Sequence, residues 1–160
     1  MEIIEYTRKH IDDVRNLLTE LGEYLVSLDQ DDLGWVHPEY RKKLALLDLK
    51  DVKKKKGKCY LALENDKVIG LIMGVIRKYE KYDYLDYKCP KEGIITELIV
   101  SSKARSKGIG KTLITKMEDY FKSVGCEYVL LDVFAYNKNA IGFYEKMGYH
   151  PRMYTDIKKL

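Results

Sequence analysis

The sequence predicts an α/β (α+β) fold in which helices flank one mixed, mostly antiparallel central sheet. Two stretches of the chain support this fold class. Residues 59–79 contain two apolar strands separated by Asn65 and Asp66, and a hairpin of this kind pairs its strands antiparallel. Residues 93–134 contain a strand, a glycine-rich loop, a helix and a strand, and such a crossover connects parallel strands. The fourth and fifth strands are therefore the predicted parallel pair.

Three segments surround the hairpin in the first half of the chain. "EIIEY" predicts a short first strand, and the apolar residues between Ile11 and Leu28 recur with the period of an amphipathic helix. After Pro38, "EYRKKLALLDLK" predicts a second, shorter helix. The tyrosine-rich segment 80–92 follows the hairpin and predicts a loop before the fourth strand.

Strands and helices alternate in the second half of the chain. "GIITELIV" and "EYVLLDVF" predict the fourth and fifth strands, and the apolar face of residues 113–124 predicts the helix between them. Asn137 or Asn139 is suited to cap a further helix that runs to Met147. The final segment, "YHPRMYTDIKKL", predicts a last strand with an ionic tail.

Length and composition predict one domain over residues 1–160, because 46% hydrophobic residues are enough to fill a single core. The net charge of +4 is modest, and the lysine-rich run 50–58 is typical of a solvated connection, so we expect no nucleic-acid partner. The three cysteines lack any Cys-x-x-Cys spacing, which argues against disulfides and structural zinc. The three histidines show no ligand spacing either, so we expect no metal.

The N-terminus and the hydropathy pattern bear on localisation. "MEIIEYTRKH" is too charged for a signal sequence. No apolar run approaches the ~20 residues that a membrane-spanning helix needs. We therefore expect a cytoplasmic protein without a membrane partner.

The segment "ARSKGIGKTLI", residues 104–114, has the composition of a phosphate-binding loop ahead of a helix. A nucleotide-binding P-loop requires glycine at position 105, where this chain has arginine. The dinucleotide fingerprint fails because Leu113 replaces its last glycine. The pattern Arg/Gln-x-x-Gly-x-Gly/Ala is matched in full by residues 105–110. Its two glycines let consecutive amide groups converge on a diphosphate, next to the positive end of the following helix.

A second motif follows the predicted fifth strand. "NKNAIGFYEKMGY", from Asn137, fits the pattern Asn-x-x-Ala-x-x-Phe-Tyr-x-Lys-x-Gly-Phe/Tyr. With both motifs in this order, each after a predicted strand, the chain resembles the GCN5-related N-acetyltransferase (GNAT) superfamily over nearly its whole length. Two positions depart from the pattern: Ala104 stands where relatives often carry an aromatic residue, and Ser106 where they often have glycine. Neither blocks the amide cradle, although Ser106 narrows the freedom of the backbone.

The resemblance implies an acyltransferase with a GNAT-like fold that uses acetyl-CoA as cosubstrate and attacks it directly with a primary amine in a ternary complex. It also implies which residues bind the cosubstrate. These are Leu98, Ile99, Val100, Arg105, Ser106, Lys107, Gly108, Ile109, Gly110, Lys111, Asn137 and Tyr144.

Catalytic roles follow from the chemistry of acetyl transfer to an amine. An alkyl ammonium with a pKa near ~10 must lose a proton, and Glu97, on the fourth strand, is the best-placed base, with a water chain as the alternative. In the resembled family, amides at the end of that strand, here residues 98–100, stabilise the negative charge on the carbonyl oxygen. The family's general acid, which protonates the departing thiolate, corresponds to Tyr144.

The acceptor is left open by the sequence. Segments 28–49 and 80–92 contain carboxylates and aromatic rings, which suit a cationic acceptor such as a polyamine, an aminoglycoside or a basic peptide but equally suit a solvated rim. The residues in question are Asp29, Asp31, Asp32, Trp35, Glu39, Tyr79, Tyr82, Tyr84, Asp86 and Tyr87. A non-catalytic module that binds acetyl-CoA is the alternative function, and the presence of Glu97 and Tyr144 favours the enzyme. A homodimer is compatible with the resemblance.

Overall fold

The computed structural model describes all 160 residues and contains one five-stranded sheet. Neighbours are antiparallel from the first strand to the fourth, and the fourth and fifth strands are parallel. The predicted mixed, mostly antiparallel sheet is therefore confirmed. Its strands, in the order in which they lie, are β1 (Glu2–Glu5), β2 (Lys58–Glu64), β3 (Lys67–Ile76), β4 (Glu92–Val100) and β5 (Tyr128–Leu131).

Four α-helices flank the sheet: α1 (Ile11–Leu28), α2 (Tyr40–Lys54), α3 (Ile109–Ser123) and α4 (Lys138–Lys146). All four were predicted from the sequence, α1 and α3 from their apolar periodicity, with ends that differ by a few residues. Single turns of 3-10 helix lie at residues 8–10, 83–85 and 102–104. None of the helices combines the length and the apolar character that a membrane crossing requires.

The two faces of the sheet are buried in two separate hydrophobic cores. On one face, α1 and α2 pack their apolar residues against Leu61, Leu71 and Met73. On the other face, α3 packs against Ile72 and Ile95, and the aromatic residues of α4 extend this core. Because side chains alternate along a strand, β3 supplies both cores with successive residues.

The turn between β2 and β3 has the conformation that the sequence predicts. Asn65 and Asp66 have φ angles of 50° and 60°, both in the left-handed region that a two-residue hairpin turn requires. Asparagine and aspartate tolerate this region better than other non-glycine residues. The hairpin is therefore fixed locally by these two residues.

The predicted last strand is wrong. Residues 149–160 contain no strand, and their side chains are largely exposed. Pro151 cannot donate a ladder hydrogen bond, and Leu160 breaks the period of two that Met153 and Ile157 share. Arg152 of this segment lies 3.9 Å from a carboxylate oxygen of Glu92 at the start of β4. The fifth strand thus ends the sheet, and it is shorter than predicted because it stops at Leu131.

Candidate active site

A gap between the two parallel strands forms the centre of the candidate site. β4 and β5 pair only from Glu92 to Ile95 and from Tyr128 to Leu131, and beyond these residues the strands separate. A cavity of about 150 Å³ lies in the gap. Its walls come from α1 (Leu21, Leu25), β4 (Ile95, Thr96, Glu97, Leu98), the end of β5 and the residues after it (Leu131, Asp132, Val133, Phe134), and α4 with its cap (Asn137, Ala140, Tyr144).

A β-bulge in β4 decides which way Glu97 points. Met73 pairs with Glu97 but its neighbour Gly74 pairs with Ile95, so Thr96 is an extra residue. Before the bulge, the odd-numbered Ile95 packs on the α3 side; after it, the odd-numbered Ile99 packs on the α1/α2 side. A bulge of one residue exchanges the faces of all later side chains. Glu97 therefore faces α1 and α2, on the same side as its partner Met73.

The carboxylate of Glu97 lies in an environment that favours its protonated form. Burial, together with the negative charge of Asp48 on α2, raises the pKa of Glu97 to about 7. Asp48 is itself affected by burial and by Asp51, which raise its pKa to about 6, and its Oδ2 atom has no hydrogen-bond partner. Glu97 makes no hydrogen bond or ion pair with protein groups, so its carboxylate is available to a ligand. A carboxyl group with a pKa near neutrality is suited to general base catalysis.

Tyr40 completes the α1/α2 side of this cluster. Burial and the charges of Glu97 and Asp48 raise the pKa of Tyr40. A Cβ at Gly22 of α1 would lie only 2.8 Å from the Tyr40 hydroxyl, so the glycine leaves room for the Tyr40 side chain between the two helices. The close approach brings Asp48 and Tyr40 towards Glu97.

Tyr144 reaches the same cavity from the opposite face of the sheet. It packs among the aromatic residues of α4 on the α3 side, and its hydroxyl makes no hydrogen bond with protein groups. Burial and the charge of Glu97 raise the pKa of Tyr144 to about 12, so the hydroxyl keeps its proton at neutral pH. The gap between β4 and β5 thus brings the two predicted catalytic side chains together.

The loop after β4 presents a row of free amide groups. The backbone N–H groups of residues 105–111 donate to no protein acceptor, and the first backbone bond of α3 is donated by Thr112 to Gly108 at 3.1 Å. No side chain caps this end of α3. Free amides at a helix N-terminus, where the helix dipole is positive, form an anion site. The predicted phosphate loop therefore has the geometry to bind a diphosphate.

Two residues of this loop adopt the left-handed conformation. Gly108, the N-cap of α3, has a φ of 74°, and Ser106 has a φ of 68°. Glycine adopts this conformation readily, whereas it strains serine. Gly110 serves a different purpose: a Cβ there would lie 3.3 Å from the ring of Phe143, so the first motif contacts the second.

Three basic side chains surround the free amides. Arg105 donates from Nε to the carbonyl of Val100 at 3.3 Å, and Lys107 forms an ion pair with Glu64 at 3.0 Å. Lys111 lies in the first turn of α3. All three are exposed, so they supplement the field of the amides at the surface of the loop.

Of the three β4 amides predicted to bind the cosubstrate, one is paired within the sheet and two face the gap. The amide of Ser101 donates to the carbonyl of Ile69 on β3 at 2.9 Å. N–H directions alternate along an antiparallel strand, so the amide of Ile99 also pairs with β3. The amides of Leu98 and Val100 consequently point towards the gap, where β5 no longer pairs with β4.

One of the two predicted N-caps of α4 is confirmed, and it is Asn137. Its Oδ1 atom accepts from the amide of Ala140 at 3.2 Å, so Asn137 rather than Asn139 begins α4. The side chain is buried, with 9% of the residue exposed, and it lies in the wall of the cavity. A hydroxyl on α1, that of Tyr24, also donates to this oxygen at 3.2 Å.

Several residues predicted to attract a cationic acceptor have structural partners instead. Tyr79 and Tyr87 donate to the buried carboxylate of Glu92, and Arg77 lies over both rings, 4.9 and 5.6 Å from their centroids. Burial raises the pKa of Glu92, but these hydroxyls and Arg77 outweigh burial and hold the pKa below its ordinary value. The protein's own arginine therefore occupies these rings.

In the segment between α1 and α2, one of the predicted acceptor residues also has partners within the protein. Asp29 accepts from the amides of Asp31, Leu33 and Gly34, which closes the turn after α1. Trp35, by contrast, is 71% exposed.

Sequence reasoning missed Asp48, Tyr40 and Tyr24. Asp48 interrupts the run of leucines in "LALLDLK", which is a local signal that an acidic group faces an apolar surface. The tyrosines gave no signal of their own. Their places depend on how α1 packs against α2 and against the cap of α4. No group of three or more potential metal ligands converges in the structure.

Comparisons with known proteins agree with this geometry. Residues 22–149 match the acetyltransferase (GNAT) family. The chain is 42% identical over 60 residues to a glucosamine 6-phosphate N-acetyltransferase of Arabidopsis thaliana, and this alignment covers 38% of each protein, less than two thirds of the relative.

Two solved structures show the same fold. The BH1408 protein of Bacillus halodurans superposes with a TM-score of 0.81 at 19% identity, over 100% of this chain and 99% of that one. An aminoglycoside N-acetyltransferase in complex with CoA superposes with a TM-score of 0.68 at 15% identity, over 99% and 100% of the two chains.

The family match extends over most of the chain and includes both motifs. This protein therefore belongs to the acetyltransferase (GNAT) family. The resemblance inferred from the two motifs is confirmed.

Proposed function

We propose that this protein is an N-acetyltransferase that moves the acetyl group of acetyl-CoA to a primary amine by direct attack in a ternary complex. The row of free amides at residues 105–111 is the observation on which the proposal rests. It follows directly on the strand that carries Glu97, and the diphosphate of CoA is an anion that such a row would bind. The family match and the CoA complex of a protein with the same fold support this choice of acetyl donor.

Glu97 would act as the base. Its pKa of about 7 means that it is ionised just above neutral pH and still basic enough to take a proton. The amine, once deprotonated, forms its C–N bond to the thioester carbon. One proton leaves the ammonium for solvent before the attack, and a second leaves the nitrogen of the tetrahedral intermediate for Glu97, directly or through a water molecule.

The amides of Leu98 and Val100 would stabilise the negative charge that develops on the carbonyl oxygen. They are fixed in the edge of β4 by the bonds between β3 and β4, so little reorganisation is needed when the charge appears. An amide in this edge is also available to pair with the extended pantetheine arm, in the manner of an added strand.

Tyr144 would assist the departure of the thiolate. As the C–S bond breaks, the sulfur receives a proton or a hydrogen bond from the tyrosine hydroxyl, which keeps its proton at neutral pH because its pKa is raised to about 12. The proton that Glu97 has taken can then return the tyrosine to its neutral form across the same gap. Acid and base are thus regenerated within one site.

The acceptor we propose is an amine of polar or cationic character. Glu97 and Asp48 make the α1/α2 side of the cavity negative above about pH 7. Two similar proteins are named for amino-sugar acceptors, one for glucosamine 6-phosphate and one for aminoglycosides. Support for a cationic acceptor comes from this carboxylate pair rather than from Tyr79 and Tyr87, which have partners within the protein.

A thiol-release assay with acetyl-CoA and a panel of amines tests the proposal. We expect release of CoA thiol to rise above hydrolysis with polyamines, amino sugars or basic peptides. Calorimetry with CoA runs in parallel. A protein that binds CoA yet releases no thiol with any amine is the non-catalytic module, and that result would refute the enzyme.

A further inference from the structure

Tyr24, on α1, connects two parts of the site that are far apart in sequence. Its hydroxyl donates to Oδ1 of Asn137 at 3.2 Å. The guanidinium carbon of Arg105 lies 5.3 Å from the centroid of its ring. One side chain therefore contacts the cap of α4 through its hydroxyl and the phosphate loop through its aromatic face.

The hydroxyl contact fixes the orientation of the Asn137 amide. The amide of Ala140 can only donate, so the side-chain atom that faces it is the Asn137 oxygen. Tyr24 adds a second donor to that oxygen. With its oxygen held twice, the NH₂ group of Asn137 is directed away from both donors, and it has no protein acceptor at its place in the cavity wall.

The ring contact holds Arg105 near the free amides. An arginine over an aromatic face is attracted by the ring quadrupole. The same guanidinium donates to the carbonyl of Val100, at the end of the strand that lines the cavity. The two contacts keep this long side chain between α1 and β4 instead of leaving it free in solvent.

We infer that Tyr24 is a positioning residue for the acetyl donor: its hydroxyl aims the Asn137 amide at the pantetheine portion, and its ring holds Arg105 for the diphosphate portion. The inference rests on the proposed use of acetyl-CoA. It predicts that the two contacts act on different parts of one ligand, so they can be separated by shortening the ligand.

The test combines two substitutions of Tyr24 with two acetyl donors. Tyr24→Phe removes the hydroxyl and keeps the ring, whereas Tyr24→Leu removes both. Each variant is assayed with acetyl-CoA and with S-acetylpantetheine, which lacks the nucleotide and its phosphates. Tyr154→Leu is the matched control, because Tyr154 is 81% exposed in the C-terminal segment.

We expect Tyr24→Phe to raise KM for both donors by about five-fold, the effect of one hydrogen bond, with kcat within about two-fold. Tyr24→Leu should raise KM for acetyl-CoA by a further factor of about three and leave KM for S-acetylpantetheine at the Tyr24→Phe value. Tyr154→Leu should match the wild type. Equal KM values for wild type and Tyr24→Phe would overturn the hydroxyl role, and an equal further loss with both donors in Tyr24→Leu would overturn the ring role.

Measuring binding of CoA and pantetheine distinguishes failure of this inference from failure of the proposed function. Calorimetry with CoA and with pantetheine needs no turnover, and the same pattern should appear in the dissociation constants. If the wild type binds CoA but transfers no acetyl group, the enzyme proposal fails while the dissociation constants still decide the role of Tyr24. If CoA affinity is unchanged in both variants, the inference is wrong even where the enzyme is active.

Discussion

Glu97 is the single residue whose environment matters most for the chemistry. Its carboxyl faces Asp48 and Tyr40 from α2 and Tyr144 from α4, and it has no compensating cation. Burial and the Asp48 charge both disfavour ionisation, which raises the pKa to about 7. An ordinary glutamate would be ionised well below neutral pH and would be a weaker base.

The pH dependence of turnover should report this environment. Activity should rise with pH through about 7, because Glu97 must lose its proton before it can accept one from the amine. Asp48→Asn removes the neighbouring negative charge, so the pKa of Glu97 should fall and the acidic limb of the kcat/KM profile should move to lower pH. Comparing the two enzymes with one acceptor cancels the titration of the amine itself. Superimposable profiles would show that Asp48 does not influence the base.

Because of the same residue, folding stability should change with pH in the opposite direction to turnover. The unfolded chain releases the Glu97 proton near pH 4.5 and the folded protein near pH 7, so the free energy of unfolding falls as pH rises between these values. Glu97→Gln carries no charge and avoids this loss. The variant should be more stable than wild type at pH 8 by about 1–3 kcal/mol and nearly equal at pH 4, by urea unfolding. A less stable variant at pH 8 would contradict the assigned pKa.

Removing the Tyr144 hydroxyl should separate catalysis from binding. Tyr144→Phe keeps the ring that packs on the α3 core and removes only the group that faces the cavity. We expect turnover to fall by about ten-fold or more while the dissociation constant for CoA, measured by calorimetry, stays nearly unchanged. Tyr154→Phe, in the exposed tail, is the control and should retain full turnover. Unchanged turnover in Tyr144→Phe would remove this residue from the mechanism.

At the scale of elements, the end of β4 and the loop after it do most to shape the site. The bulge at Thr96 turns Glu97 towards α1 and α2, and the pairing with β5 ends immediately before it. The loop then reaches α3 with two residues in the left-handed region. One strand and its loop thus carry, in order along the chain, the proposed base Glu97, the gap-facing amides and the row of free amides.

Ser106 gives a test of the loop conformation. At a φ of 68°, serine is strained where glycine would not be. Ser106→Gly should therefore stabilise the folded protein slightly, by about 0.5 kcal/mol after the greater chain entropy of glycine is counted, whereas Gly108→Ala should destabilise it by about 1–2 kcal/mol. Urea unfolding of both variants measures these changes. A loss of stability on Ser106→Gly would show that the serine side chain contributes more than its strain removes.

Most of these elements were predictable because their signals are local. Apolar periodicity predicted α1 and α3, an asparagine cap predicted α4, and Asn65 and Asp66 predicted the hairpin turn. The glycines of residues 108–110 predicted the loop with free amides. The bulge was not predictable, because Thr96 looks like any other strand residue until β3 and β4 are aligned. The last strand was predicted wrongly because a few apolar residues after α4 have no neighbouring strand to pair with.

At the scale of the whole molecule, the site exists because the sheet opens between two faces. Glu97 points to the α1/α2 side and Tyr144 belongs to the α3/α4 side, and both reach one cavity through the gap. Tyr144 was predicted from the second motif by resemblance, and Glu97 was predicted as the best-placed carboxylate on the fourth strand. The partners Asp48, Tyr40 and Tyr24 come from helices whose packing no local pattern encodes, so only the folded structure reveals them.

The central claim is that the amides of residues 105–111 hold the diphosphate of CoA and so direct its thioester between Glu97 and Tyr144. A titration of the ¹⁵N-labelled protein with CoA, followed by amide chemical shifts, tests it most directly, with pantetheine as the matched ligand that lacks the diphosphate. We predict large, saturable shifts for the amides of residues 105–111 with CoA and small ones with pantetheine. Saturable binding of CoA that leaves these amides unshifted would contradict the claim.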